Sequence, residues 1–192
     1  MVRKRILRIL SGSAVVFIVL FCTLDVNGQF GGQAITYTIS GSTGVEGVAM
    51  TGLPGSVVTD QNGYYNATVK YGWGGTVKPV KAGWTFDPAI RPYPRVTADK
   101  TNDDYTPTPI TYTVSGKITG VAAEGVQLTG LPGNPITGPD GSYSVDVPYG
   151  WSEMVSPTKE GYTFKPFNKQ FSSARANMVQ NFTSEPVKLL IT

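Results

Sequence analysis

Few residues of this chain have the type and spacing to do chemistry. Trp73, Trp84, Trp151 and Tyr162 stand close to turn signals, and exposed rings of this kind can stack on the apolar face of a sugar. Trp73 and Trp151 recur, however, in the repeated dipeptides Gly72-Trp73 and Gly150-Trp151. An aromatic repeated beside a turn of a small β domain serves packing first and ligand binding second. Asp103-Asp104 is the adjacent acid pair. Glycosidase chemistry needs two carboxylates facing each other across a cleft, whereas neighbours on a strand point to opposite faces. The pair therefore reads as a solvated turn into a strand. Asp60 and Asp140 belong to Thr59-Asp-Gln-Asn-Gly63 and Thr137-Gly-Pro-Asp-Gly141. Their positions differ between the two loops, and a calcium site needs several oxygen ligands at fixed offsets, so a turn is the stronger reading. There is no histidine, and the single cysteine is Cys22. Beyond Cys22 no disulfide, no thiolate or imidazole metal site and no His- or Cys-dependent catalysis can form. The expectation is no enzyme, no metal and no cofactor.

Residues 1–28 form a separate segment. Arg3, Lys4, Arg5 and Arg8 precede an apolar run from Ala14 to Leu24, and Val26-Asn27-Gly28 offers compact residues for cleavage before Gln29. This is the layout of a secretory signal peptide. A retained anchor is the alternative, but a spanning helix takes about 20 apolar residues and this run is shorter. The segment holds four of the sixteen basic residues and one of the thirteen acidic ones, leaving twelve of each. The mature part is thus formally neutral. The basic balance belongs to the export segment and gives no support to a nucleic-acid partner, with a membrane contact expected only through that segment.

The rest of the chain is one unit written twice. Ile35-Thr-Tyr-Thr-Ile-Ser-Gly41 falls on Ile110-Thr-Tyr-Thr-Val-Ser-Gly116, and Gly47-Val-Ala-Met-Thr-Gly-Leu-Pro-Gly55 on Gly125-Val-Gln-Leu-Thr-Gly-Leu-Pro-Gly133. Five residues separate Gly41 from Gly47 and eight separate Gly116 from Gly125, so the second copy carries three more. Within each copy the apolar period is two. Tyr65, Ala67, Val69 and Tyr71 alternate with polar residues, as do Tyr143, Val145, Val147 and Tyr149; such strands have one buried face. Leu-Pro-Gly predicts a type II turn, with proline at the first central position and glycine supplying positive φ at the next. The Asn-Gly and Asp-Gly loops predict hairpins built on a type I turn closed by a glycine bulge. Pro79 and Pro157 predict ladder positions where no donor is needed.

These patterns indicate an all-β chain: two tandem small antiparallel β-sandwich modules of six or seven strands after the signal peptide. The expected modules span 34–107 and 110–186, with Thr106-Pro-Thr-Pro109 as an extended spacer. Phe182-Thr-Ser-Glu-Pro-Val-Lys-Leu-Leu-Ile-Thr192 falls on Tyr105 to Ser115. Residues 187–192 therefore read as the first strand of a truncated third module, or as a strand laid on another chain's open edge.

Val126-Gln-Leu-Thr-Gly, Thr137 with Asp140-Gly-Ser-Tyr143, Val147-Pro-Tyr-Gly-Trp151 and Gly161-Tyr-Thr-Phe164 resemble bacterial surface modules related to the carboxypeptidase regulatory domain and the collagen-adhesin B-type domain. The resemblance covers nearly all of residues 34–183. It implies a prealbumin-like or immunoglobulin-like sandwich used as a stalk in secreted proteins, without peptidase activity. Some adhesin modules also carry a Lys-to-Asn isopeptide bond, for which Lys117 and Asn181 are the candidates. Ser42 and Asp104 replace them in the first copy, and two solvated polar residues is the preferred reading. The expected function is a non-catalytic extracellular spacer or structural module pair of a secreted or surface-attached protein, with carbohydrate binding or adhesion through exposed aromatics as the alternative. Expected partners are neighbouring modules of the same or a longer chain, with polysaccharide or another surface protein as further candidates.

Overall fold

The computed structural model describes residues 29–30 and 33–188; residues 1–28, on which the expected signal peptide falls, and residues 31–32 and 189–192 lie outside the described residues. Every regular element among the described residues is a strand. Two short strands, β1 (Gln29–Phe30) and β2 (Gln33–Ala34), pair antiparallel ahead of the repeats. The first repeat holds β3 (Thr36–Ser42), β4 (Ala49–Thr51), β5 (Tyr64–Lys70), β6 (Gly75–Val80), β7 (Trp84–Asp87), β8 (Arg91–Tyr93) and β9 (Thr106–Pro109). The second holds β10 (Thr111–Gly120), β11 (Gln127–Thr129), β12 (Ser142–Pro148), β13 (Met154–Thr158), β14 (Tyr162–Lys165), β15 (Lys169–Gln170), β16 (Met178–Val179) and β17 (Phe182–Pro186). In the second repeat β12-β10-β17-β14 form one sheet, with β16 also on β10, and β11-β13-β15 form the other. The first repeat uses the same elements as β3-β5, β7-β9 and β4-β6-β8. Each repeat is a sandwich around its own apolar cluster.

Period-two patterning builds these cores. Along β5 the burial alternates without a break, placing Tyr65, Ala67 and Val69 inside. Val48, Met50, Leu53, Val77 and Phe86 join them, while Val126, Leu128, Leu131, Val155 and Phe164 fill the second core. Fully burying a side chain of this size contributes about 1.5–3 kcal/mol. The turns follow the expected chemistry. Gly133 has φ 74° and the Asn134 N–H closes onto the Leu131 carbonyl, as a type II turn requires. Gly63 and Gly141 take φ 75° and 79° and close the hairpins by donating to the carbonyls of Asp60 and Gly138. Pro79 lies opposite Met50 on β4, beyond the stretch Gly75–Val77 that pairs with β8, so no second neighbour asks it for a donor.

Three features differ from the sequence expectation. The first strand of the second repeat runs parallel to its last: Ile118, Thr119 and Gly120 of β10 lie opposite Phe182, Thr183 and Ser184 of β17. The same strand also runs parallel to β16 at Val114 and Ser115, and the first repeat makes an equivalent parallel bridge between Ile39 and Lys100. The segment Thr106–Pro109 is not a spacer but a strand, with Thr106 opposite Asp87 and Thr108 opposite Thr85. Antiparallel ladders use alternate residues, so two threonines supply the bonded positions and the two prolines fall between them. Finally, Asp103 is not solvated: its side chain is only 19% exposed and is engaged by Arg91.

Candidate functional site

The densest group of chemistry-bearing side chains closes one end of the first core. Strand β8 presents Arg91 and Tyr93, β5 presents Tyr65, and the approach to β9 brings Asp103 and Tyr105. The Tyr93 hydroxyl donates to Asp103 Oδ2 at 2.6 Å and the Tyr65 hydroxyl donates to the Asp103 carbonyl at 2.6 Å. Arg91 Nη1 lies 3.5 Å from Asp103 Oδ1, and Arg91 Nη2 donates to the Asp104 carbonyl at 2.9 Å. The guanidinium also sits over the Tyr105 ring, 5.3 Å from its centroid. Gly41 makes room for this chain crossing, since a Cβ there would stand 2.5 Å from the Asp103 carbonyl oxygen.

Electrostatics make the group a closed one. Burial, then the hydrogen bond to Asp103, push the Tyr93 hydroxyl well above the ordinary tyrosine range. Burial does the same for Tyr65 and Tyr105, where Arg91 opposes it. Burial works against the Arg91 charge, but the Asp103 carboxylate together with Tyr105 and Tyr93 outweighs it and raises the guanidinium above its ordinary value. The phenols stay neutral and the carboxylate is consumed by its two partners, so neither a nucleophile nor a free base results. Two atoms are left over: Arg91 Nε and the Tyr105 hydroxyl are buried without a hydrogen bond.

The four aromatics singled out by sequence divide between the repeats. Trp73 and Trp84 are half-buried and pack on the first core, with the Trp73 ring 5.9 Å from Tyr93. Trp151 and Tyr162 pack in the same way on the second core, with Trp151 5.6 Å from Phe171. Tyr162 also lines a groove of about 540 Å³ together with Phe167. Phe167 escaped sequence reasoning; the available signal was that the first copy has Ala89 at this position.

The other candidates are accounted for by local structure. Asp60 Oδ1 accepts the N–H groups of Asn62 and Tyr64. Asp140 Oδ1 accepts the Ser142 hydroxyl and N–H, which holds its carboxyl below the usual range. Among the described residues no three Cys, His, Asp or Glu side chains gather as a metal cage. Asn181 Oδ1 accepts the main-chain N–H of Lys117 at 2.8 Å, the same bond that Asp104 accepts from Ser42. Both Lys117 and Asn181 are exposed, so the carboxamide works here as a strand-linking acceptor.

No family model matches the chain, and no curated protein matches it. Among solved structures it is similar in fold to the Bacillus anthracis TIE protein, with TM-score 0.58 and 13% identity over 79% of this chain and 34% of that one. The chain therefore spans about a third of that protein's length. It also aligns with the minor pilin GBS52 of Streptococcus agalactiae, with TM-score 0.36 and 11% identity over 81% of this chain and 98% of that one. A streptococcal ancillary pilin aligns with TM-score 0.35 and 14% identity, over 79% and 63% of the two chains. The likeness concerns the all-β sandwich fold.

Proposed function

We propose that the chain is a non-catalytic structural module pair of an extracellular surface protein, in which the modules space or present a neighbouring part. One observation carries this reading, the junction at Ile110. Its N–H donates to the Gly83 carbonyl of the first repeat, and its own carbonyl accepts the Tyr149 N–H of the second. A single residue is thus tied on both sides, between strand β9 and strand β10. The Tyr149 side chain also covers Gly83, where an added Cβ would lie 3.2 Å from the ring. A spacer requires a joint of this kind, whereas independently moving domains are joined by exposed linkers with few crossing contacts. The closed character of the Arg91–Asp103 group and the basic-then-apolar layout of residues 1–28 support the same reading.

The test is a distance measurement across the joint. Spin labels at Asn66→Cys and Ser144→Cys, both on exposed strand positions, should give one narrow distance distribution, and Tyr149→Ala should broaden it. A broad distribution in the parent protein would overturn the spacer reading, as would hydrolysis of a polymer by the purified protein.

A further inference from the structure

The groove on the second repeat has a chemistry that its twin on the first does not share. It is lined by Gln127, Thr158, Lys159, Glu160, Tyr162 and Phe167. The corresponding residues of the first repeat are Ala49, Val80, Lys81, Ala82, Trp84 and Ala89. Where one copy has three alanines and a valine, the other has an amide, a hydroxyl, a carboxylate and an added ring. Phe167 is 77% exposed. Folding gains little from a phenylalanine left in water, and exposed apolar groups rimmed by polar ones mark binding surfaces.

We infer that this groove binds a neutral oligosaccharide, with Tyr162 and Phe167 as the aromatic floor and Gln127 and Thr158 as hydrogen-bonding rim. A sugar ring presents an apolar C–H face and an edge of hydroxyls, which matches rings flanked by uncharged donors and acceptors. The volume lies within the range of about 300–1,000 Å³ typical of small-ligand sites. Charge selects the neutral class. Lys159 and Glu160 are opposite and adjacent, and the Lys159 ammonium is already committed to the Glu124 carbonyl and lies 5.9 Å from the Tyr162 ring centroid. The groove thus offers no surplus cation to an acidic chain. This inference is independent of the spacer reading, because the Ile110 joint uses neither Tyr162 nor Phe167.

Amide-resolved NMR titration of the protein with cellohexaose, chitohexaose and mannohexaose, and with an acidic alginate oligosaccharide, tests it. At least one neutral probe should shift the signals of Gln127, Thr158, Tyr162 and Phe167 saturably. Phe167→Ala should weaken that binding about tenfold, a change of about 1.4 kcal/mol, without lowering thermal stability, because the side chain is exposed. Tyr162→Ala should abolish the binding, and the solvent-facing control Asn66→Ala should leave it intact. The inference is overturned if no neutral probe shifts these signals, if only the acidic probe does, or if Phe167→Ala leaves the affinity unchanged. It is equally overturned if sedimentation shows self-association that Phe167→Ala removes, since the occupant would then be a second copy.

Discussion

The two repeats bury nearly the same positions but close one end of the core with different chemistry. All but one of the first repeat's buried apolar residues fall on buried apolar residues of the second, the exception being Ala67 against half-buried Val145. At the closing end, Arg91, Tyr93, Asp103 and Tyr105 face Lys169, Phe171, Gln180 and Phe182. The first repeat uses an ion pair and hydroxyls, and the second uses phenylalanines. One interaction survives the exchange: Tyr143 donates to the Gln180 carbonyl at 2.6 Å, as Tyr65 does to Asp103. The part that pins the chain crossing uses a main-chain acceptor and tolerates either residue. The part that fills the end must change as a set, because half of a buried polar network is worse than none.

The largest consequence of this difference is expected at high pH. A tyrosine in an unfolded chain ionises near pH 10. When the fold raises that value, the unfolded state loses its proton first, so stability is full below about pH 10 and falls as pH rises toward the folded value. The first repeat has three such tyrosines, Tyr65, Tyr93 and Tyr105. The second has Tyr143, which burial pushes up to about 12. The first repeat should therefore unfold at lower pH, read as early loss of its amide signals while those of the second persist. Simultaneous loss, or earlier loss of the second repeat, would break the comparison.

The next effect is mutational. Asp103→Ala removes the carboxylate that pairs with Arg91 and accepts from Tyr93, leaving the guanidinium only its bond to the Asp104 carbonyl. Breaking a buried pair costs about 3–5 kcal/mol; these side chains are partly exposed, so a loss of about 2–3 kcal/mol is expected in denaturant unfolding of the first repeat. Gln180→Ala removes only a side chain, because Tyr143 uses the main-chain oxygen. It should cost the second repeat under about 0.5 kcal/mol. Equal costs would mean that the polar closure adds nothing of its own.

Much of this fold is legible in the residues themselves. The alternation of Tyr65, Ala67 and Val69, the Leu-Pro-Gly turns and the Gly63 and Gly141 bulges are local signals, set by side-chain period and backbone sterics. The Arg91–Asp103 pair has no local signature, since Arg91 on β8 and Asp103 in the irregular stretch before β9 are brought together only by the folded chain. The concerted change to Lys169, Phe171, Gln180 and Phe182 in the second copy was the trace available. Strand β9 was hidden by Pro107 and Pro109, whose meaning depends on which alternate positions face β7. Phe167 was hidden because an isolated phenylalanine reads as core until its exposure is known.

The smallest and sharpest effect concerns a single hydroxyl. Tyr105 and Phe182 occupy the same place, 4% and 1% exposed, and differ by one oxygen. In the first repeat that oxygen is buried outside hydrogen-bond geometry, with the Arg91 guanidinium opposing the effect of its burial, so Tyr105→Phe removes a desolvated polar group at the cost of that one electrostatic contact. Such a change should be neutral or stabilising by up to about 1 kcal/mol. The reverse change, Phe182→Tyr, puts a hydroxyl where Lys169 replaces Arg91 and is itself exposed, leaving the new group without a partner at a cost of about 1–3 kcal/mol. The two substitutions interconvert the same residues, so opposite signs in paired unfolding measurements would show that the closing end of each core is tuned to its own set. A loss on Tyr105→Phe would instead show that the hydroxyl bonds the Arg91 Nε. The polar closure would then be one continuous network from Tyr93 through Asp103 and Arg91 to Tyr105.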